Sequence, residues 1–154
     1  MRAAVEANKK AADQSGNTRP LLLGVTVLTS FDRDDLREMG VEETVAEQVS
    51  RLAVLAQANG LDGVVCSAHE IAILRSVCGG EFKLVVPGIR PKWTEPDDQK
   101  RFLAPGEAVA RGADYLVVGR PISRADDPAA AARLISEEIS EEMISLAVFF
   151  LIAA

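Results

Sequence analysis

The sequence predicts an α/β fold of consecutive parallel strand–helix units, and three observations carry that expectation. Four short runs rich in β-branched residues, LLLGVTVL (21–28), GVVCS (63–67), KLVV (83–86) and DYLVVG (114–119), are apolar without alternation. That is how strands buried on both faces of a parallel sheet read. Segments of helical periodicity lie between these runs, with turn residues at the junctions. Regular alternation of strand and helix specifies parallel βαβ connections.

The elements follow in chain order. The first run ends at Thr29 and Ser30. Val45, Val49, Leu52 and Leu55 then recur at helical spacing, with Glu43, Glu47 and Arg51 off that stripe and Gly60 as a stop signal. An amphipathic helix with those four side chains turned inward is expected. The second run ends at Ser67, which with Glu70 forms an S-x-x-E capping box ahead of Ile71, Leu74 and Val77, so another helix starts directly at a strand end. A shorter helix is expected over 105–111, before Gly112. Asp127 and Pro128 read as N-cap and first residue of a final helix that turns Leu134, Ile135 and Ile139 inward. The 154 residues hold one domain by length. Four strands fit a flavodoxin-like or Rossmann-like sheet, and equally half of an eight-stranded barrel, since a whole barrel takes about 250 residues.

Composition narrows the function classes. Seventeen basic against 23 acidic residues give a net charge of −6, which excludes a general nucleic-acid or anionic-membrane surface, because phosphate backbones are met by clustered Lys and Arg. Any anion contact must be local. Cys66 and Cys78 form neither a metal spacing nor a disulfide framework, which points to a reducing cytoplasm. The opening MRAAVEANKKAADQSG has no continuous apolar stretch and is neither a signal peptide nor a membrane span. The closing MISLAVFFLIAA is apolar but shorter than the roughly 20 residues that cross a bilayer. It reads as a terminal segment covering exposed core.

Ligands of parallel α/β folds bind beyond the C-terminal strand ends. Two of those ends share a pattern: LVVPGIRP (84–91) and LVVGRP (116–121) both pass from an apolar run to glycine and then to an arginine held against a proline. Glycine permits close backbone approach, and arginine offers a planar, permanently charged fork to an anion. Barrel enzymes frequently bind phosphate with the loops after their last two strands. The segment RPKWTEPDDQKRFLA (90–104) between them is long for a βα connection and reads as a lid. Asp97 and Asp98 within it read as solvated loop residues, and His69, the single histidine, as a surface residue beside Glu70.

GVTVLTS (24–30), GLDGVVCSAHE (60–70), FKLVVPGIRP (82–91), DQKR (98–101) and DYLVVGRP (114–121) together resemble orotidine 5'-phosphate decarboxylase of the bacterial type, in order and approximate spacing over about residues 1–140. The resemblance implies a TIM barrel of which this chain is the C-terminal half, strands 5–8, entered from the helix before strand 5. Residues 141–154 form a divergent apolar tail. It also implies cofactor-free decarboxylation of orotidine 5'-monophosphate (OMP) to UMP, the last step of de novo pyrimidine synthesis, in a cytoplasmic dimer. Carried over by position, Thr29 contacts the pyrimidine side, Arg90 flanks the lid, and Gln99 bridges base and phosphate. Gly119 and Arg120 take the phosphate through backbone N–H and guanidinium.

The family's chemistry resides in an Asp and Lys array written D-x-K-x-x-D, and this sequence contains none. The nearest stretch, Asp98-Gln99-Lys100, has Leu103 where the second Asp should stand. The expectation is a chain that holds the substrate-binding half, lacks the catalytic array and is inactive by itself. A non-catalytic module that binds a nucleotide phosphate, or assembles through exposed barrel edges, is the alternative. A barrel that processes a sugar phosphate, as in the related keto-gulonate phosphate decarboxylases, is a third reading, disfavoured by Thr29 and Gln99.

Overall fold

The computed structural model describes residues 1–93 and 103–152, with side chains as far as Met143. In chain order the elements are α1 (Arg2–Ser15), β1 (Leu23–Val25), α2 (Arg33–Glu38), α3 (Val45–Ala58), β2 (Gly63–Val65), a 3₁₀ turn (Ala68–Glu70), α4 (Ile71–Cys78), β3 (Lys83–Val86), α5 (Pro105–Ala110), β4 (Tyr115–Leu116), α6 (Arg120–Ser123) and α7 (Pro128–Ile152).

Local chemistry sets the helix starts. Thr44 and Glu47 form a reciprocal capping box at α3, and Asp32 and Asp35 do the same at α2. The expected box at the end of β2 is present: the Ser67 backbone N–H donates to Glu70 Oε2 at 2.8 Å, and Ser67 Oγ accepts from His69 N–H at 3.3 Å. It opens a 3₁₀ turn that leads into α4. Asp127 caps α7 by accepting the Ala130 N–H at 2.9 Å. Such caps satisfy backbone donors that the first helical turn leaves without partners.

All strand pairings are parallel, and the sheet order is β1-β2-β3-β4. That order decides between the two architectures the strand count allows. Doubly wound sheets reverse direction, which distributes helices over both faces. Strands laid down sequentially with right-handed crossovers put every connecting helix on one face. The packing agrees: residues of α3 (Val49, Ala53, Ala56), α4 (Ile71, Leu74) and α5 (Ala108) share one core with Val64, Leu84 and Val86 of the sheet. Successive strand residues point to opposite faces, so Val64 and Leu84 are wholly buried while the neighbouring rung Val25–Val65–Val85–Tyr115 lies on the other side.

Two expected inward residues are corrected. Leu55 and Leu134 are 46% and 49% exposed, while Ile135, also expected inward, is buried. In α3 the neighbouring Ala56 takes the buried position instead of Leu55. A shift of one residue turns a helical side chain by about 100°, and on α3 the small Ala53 and Ala56 are what face the sheet.

The N-terminal strand ends are cross-braced. Asp62, ahead of β2, accepts the Leu22 N–H at 2.7 Å and a two-pronged Arg19 guanidinium. Asp114, ahead of β4, accepts the Leu84 N–H at 2.8 Å and pairs with Arg75 and, at 3.4 Å, Lys83. Arg75 also donates to the carbonyls of Phe82 at 2.6 Å, Gly112 at 2.6 Å and Gly79 at 3.0 Å. One guanidinium therefore ties the end of α4, the start of β3 and the approach to β4. Among the described residues, no helix is long and apolar enough to cross a membrane.

Candidate functional site

The four C-terminal strand ends lie along one edge of the sheet because every pairing is parallel. β3 and β4 are hydrogen-bonded neighbours, and their pairing continues past the named strand where Val117 N–H donates to the Val86 carbonyl at 2.9 Å. The segments carrying Arg90 and Gly119–Arg120 thus leave adjacent strands, about 5 Å apart at the strand ends. Thr29 follows β1, at the opposite edge of the sheet, three positions from β4.

After β3 the chain turns at Gly88, whose φ of 76 lies in the left-handed region. Only glycine adopts that conformation without steric cost. The turn sends Ile89 into the core at 0% exposure and leaves Arg90 at 8%. Arg90 N–H donates to the Leu103 carbonyl at 3.0 Å, and Ile89 bridges Leu103 in parallel. The ends of the long loop are thereby pinned together. Arg90 Nη1 donates to the Ile89 carbonyl at 2.9 Å, so the guanidinium is kept close to the strand end.

After β4, Gly119 stands as N-cap of α6 and Arg120 as its first residue, partly buried, with Pro121 buried behind it. Gly119 carbonyl accepts from Ile122 and Ser123 N–H at 2.9 and 3.0 Å. The two glycines differ in kind. A side-chain carbon built on Gly119 meets nothing within 4 Å. Space alone would admit a side chain there, whereas at Gly88 the positive φ of the turn calls for glycine. For Gly88 the backbone conformation, rather than close approach, is the physical reason for glycine.

Thr29 lies partly buried in a turn closed by the Phe31 N–H on the Leu28 carbonyl at 3.0 Å. Gln99 and the lid assigned to 90–104 fall largely on residues 94–102, outside the described residues, as do Asp97 and Asp98. His69 is exposed, as expected of a surface residue. At the end of β2, burial pushes the Cys66 thiol up to about 12, reinforced by the Glu70 charge. It stays protonated at neutral pH and is no nucleophile. Sequence reasoning missed the Asp62 and Asp114 braces; the signal was there as G-x-D repeated directly ahead of two strand runs, in GLDGVV and GADYLVV.

The chain is similar to known proteins across most of its length. It is 52% identical over 139 residues to the orotidine 5'-phosphate decarboxylase of Paramagnetospirillum magneticum, covering 90% of this chain and 59% of that protein. Among solved structures, an uncharacterized conserved protein from Geobacillus kaustophilus superposes with TM-score 0.73 at 36% identity, over 90% of this chain and 57% of its own. Orotidine 5'-phosphate decarboxylase from Lactobacillus acidophilus gives TM-score 0.69 at 41% identity, over 81% and 51%. The chain spans a little over half the length of the relatives it matches, and its four sequential parallel units are half of a TIM barrel. The profile of the family described as "Orotidine 5'-phosphate decarboxylase / HUMPS family" matches residues 1–135, and the chain belongs to that family.

Proposed function

We propose that this chain carries the phosphate- and pyrimidine-binding part of an orotidine 5'-phosphate decarboxylase, strands 5–8 of the barrel. By itself it binds a pyrimidine nucleoside monophosphate, OMP or UMP, without decarboxylating it. The observation that carries the reading is the adjacency of the β3 and β4 ends, from which the segments carrying Arg90 and Gly119–Arg120 depart. Two permanent cations and an open backbone N–H suit a phosphate dianion. At about 4 Å and an effective dielectric near 20, each unit charge pair is worth about 4 kcal/mol before desolvation is subtracted. The empty space where a Gly119 side chain would stand is room for that phosphate. Thr29 and Gln99 are assigned to the pyrimidine side and the base–phosphate bridge by their match to the family pattern.

Binding does not break the carbon–carbon bond. Loss of carbon dioxide leaves a carbanion that a positioned acid must protonate, and the sequence has no D-x-K-x-x-D to supply it. The whole enzyme is in this reading a cytoplasmic, dimeric lyase. Residues 1–140 are its domain portion and 141–154 an added apolar tail. A sugar-phosphate substrate is the second reading.

Calorimetry on the purified chain tests the proposal. UMP should bind measurably, ribose 5-phosphate more weakly, and uridine, which lacks phosphate, not at all. Equal affinity for UMP and ribose 5-phosphate would favour the sugar-phosphate reading, and uridine binding as well as UMP would remove the phosphate site. Release of carbon dioxide from OMP, by chain purified from a host deleted for its own enzyme, would overturn the predicted inactivity.

A further inference from the structure

The turn between α3 and β2 carries the pair Asn59-Gly60. We propose that this pair is a site of spontaneous covalent modification, held closed in the folded chain by contacts from α1 and α3, where the Asn59 amide is lost as ammonia once those contacts open.

The chemistry needs only water. The Gly60 backbone nitrogen attacks Asn59 Cγ and gives up its proton. The new C–N bond closes a five-membered imide, and Nδ2 leaves with its two hydrogens and that proton as ammonia. Water then adds to one of the two imide carbonyls: opening at Cγ leaves an ordinary aspartate, and opening at the main-chain carbonyl leaves isoaspartate, whose backbone runs through the side chain. Glycine is the least hindered successor to an asparagine, because no Cβ stands beside the attacking nitrogen. The other asparagines, Asn8 and Asn17, precede Lys9 and Thr18.

The fold blocks the reaction through backbone geometry. Ring closure needs Cβ and the Gly60 nitrogen on the same side of the Asn59 Cα–C bond. At ψ 6 the Gly60 nitrogen eclipses the Asn59 nitrogen instead, so Cγ cannot reach it. Hydrogen bonds keep it there: Asn59 Nδ2 donates to the Leu55 carbonyl at 2.7 Å, Asn59 Oδ1 accepts from Arg2 Nε at 3.1 Å, and the Gly60 N–H donates to the Gln57 carbonyl at 2.9 Å. A side-chain carbon on Gly60 would lie 3.6 Å from Val5 Cγ1, so α1 packs against both residues of the pair. The turn is nevertheless at the surface, with Ala58 and Gly60 exposed and Asn59 half-buried, and helix ends open at lower cost than cores.

The product weakens the turn. A carboxylate at position 59 has no N–H for the Leu55 carbonyl, and it sets negative charge at the C-terminal end of α3, where the helix dipole disfavours it. Isoaspartate lengthens the backbone just ahead of Asp62, which joins Leu22 to Arg19. None of this depends on nucleotide binding.

Peptide mapping by mass spectrometry of the purified chain, aged in mildly alkaline buffer, tests the proposal. Conversion should occur at Asn59 ahead of Asn8 and Asn17, yield isoaspartate as well as aspartate, and run at least about tenfold faster in guanidinium chloride, where the block is gone. Arg2→Ala removes one exposed hydrogen bond and should speed conversion of the folded chain about twofold to fivefold, with unchanged helical circular dichroism. Asn59→Gln, whose longer side chain cannot form the five-membered ring, should remove the signal. No conversion in denaturant, equal rates in folded and unfolded wild type, faster loss at Asn8 or Asn17, or an Arg2→Ala rate equal to wild type would overturn the proposal.

Discussion

At the N-terminal strand ends, carboxylates and guanidiniums meet each other; at the C-terminal ends, the segments carrying Arg90 and Arg120 leave adjacent strands. Asp62 and Asp114 each join a backbone N–H of the preceding strand to an arginine. Two glycines mark the same contrast. A side-chain carbon on Gly63, at the start of β2, would collide with the Lys83 carbonyl oxygen and stand 2.7 Å from Lys83 Cβ, while one on Gly119 would meet nothing. One end is closed by the chain's own contacts, and the other leaves space. In barrel folds this division separates stability from binding.

Gly63→Ala should break the contrast most severely. Strands β2 and β3 would have to separate locally, costing at least about 3 kcal/mol, read as a lowered urea midpoint. Arg75→Ala should come next, at about 2–3 kcal/mol. It removes the partner of Asp114 and leaves the Gly112 and Phe82 carbonyls without their donor.

Acid should act on the same end. The Arg19 guanidinium, against a smaller burial penalty, holds Asp62 below the ordinary 3.8; at Asp114 burial opposes ionisation, but the Leu84 N–H, Arg75 and Lys83 outweigh it. A carboxyl depressed in the folded state contributes stability that is complete above its unfolded value and is lost as pH falls through its folded value. Unfolding free energy should therefore be level with respect to these groups above about pH 5 and decline below about pH 4. Asp62→Asn combined with Asp114→Asn should flatten that decline.

Gly119→Ala should be the mildest in stability, within about 0.5 kcal/mol, because the added methyl meets open space. Its effect should appear instead in calorimetry as weakened UMP binding. Unchanged binding would detach Gly119 from the proposed site and blur the distinction between the two ends.

Much of the fold was legible in the sequence because its signals are local. The β-branched runs gave four strands, Ser67 with Glu70 gave a cap, and Asp127 with Pro128 gave a helix start. The misplaced inward residues show where local reading fails. Leu55 is apolar and near helical register, yet the position facing the sheet goes to Ala56, because helix rotation is set by what the neighbouring strand can accommodate; Leu134 is likewise exposed beside buried Ile135. Of the candidate site, the glycine–arginine pattern was readable, but not that Gly88 is held at positive φ while a side chain at Gly119 would meet open space.

The sequence by itself determined the parallel strand–helix alternation, the helix starts and the family, since periodicity, capping and residue order are written along the chain. Only the tertiary structure decided that the strands lie in sequential order, that the helices between them share one core on a single sheet face, and that Arg75 and Arg19 brace the strand starts. Those depend on which distant segments meet: Arg75 and Asp114 are 39 residues apart, and Arg19 and Asp62 are 43. No local periodicity encodes such a meeting.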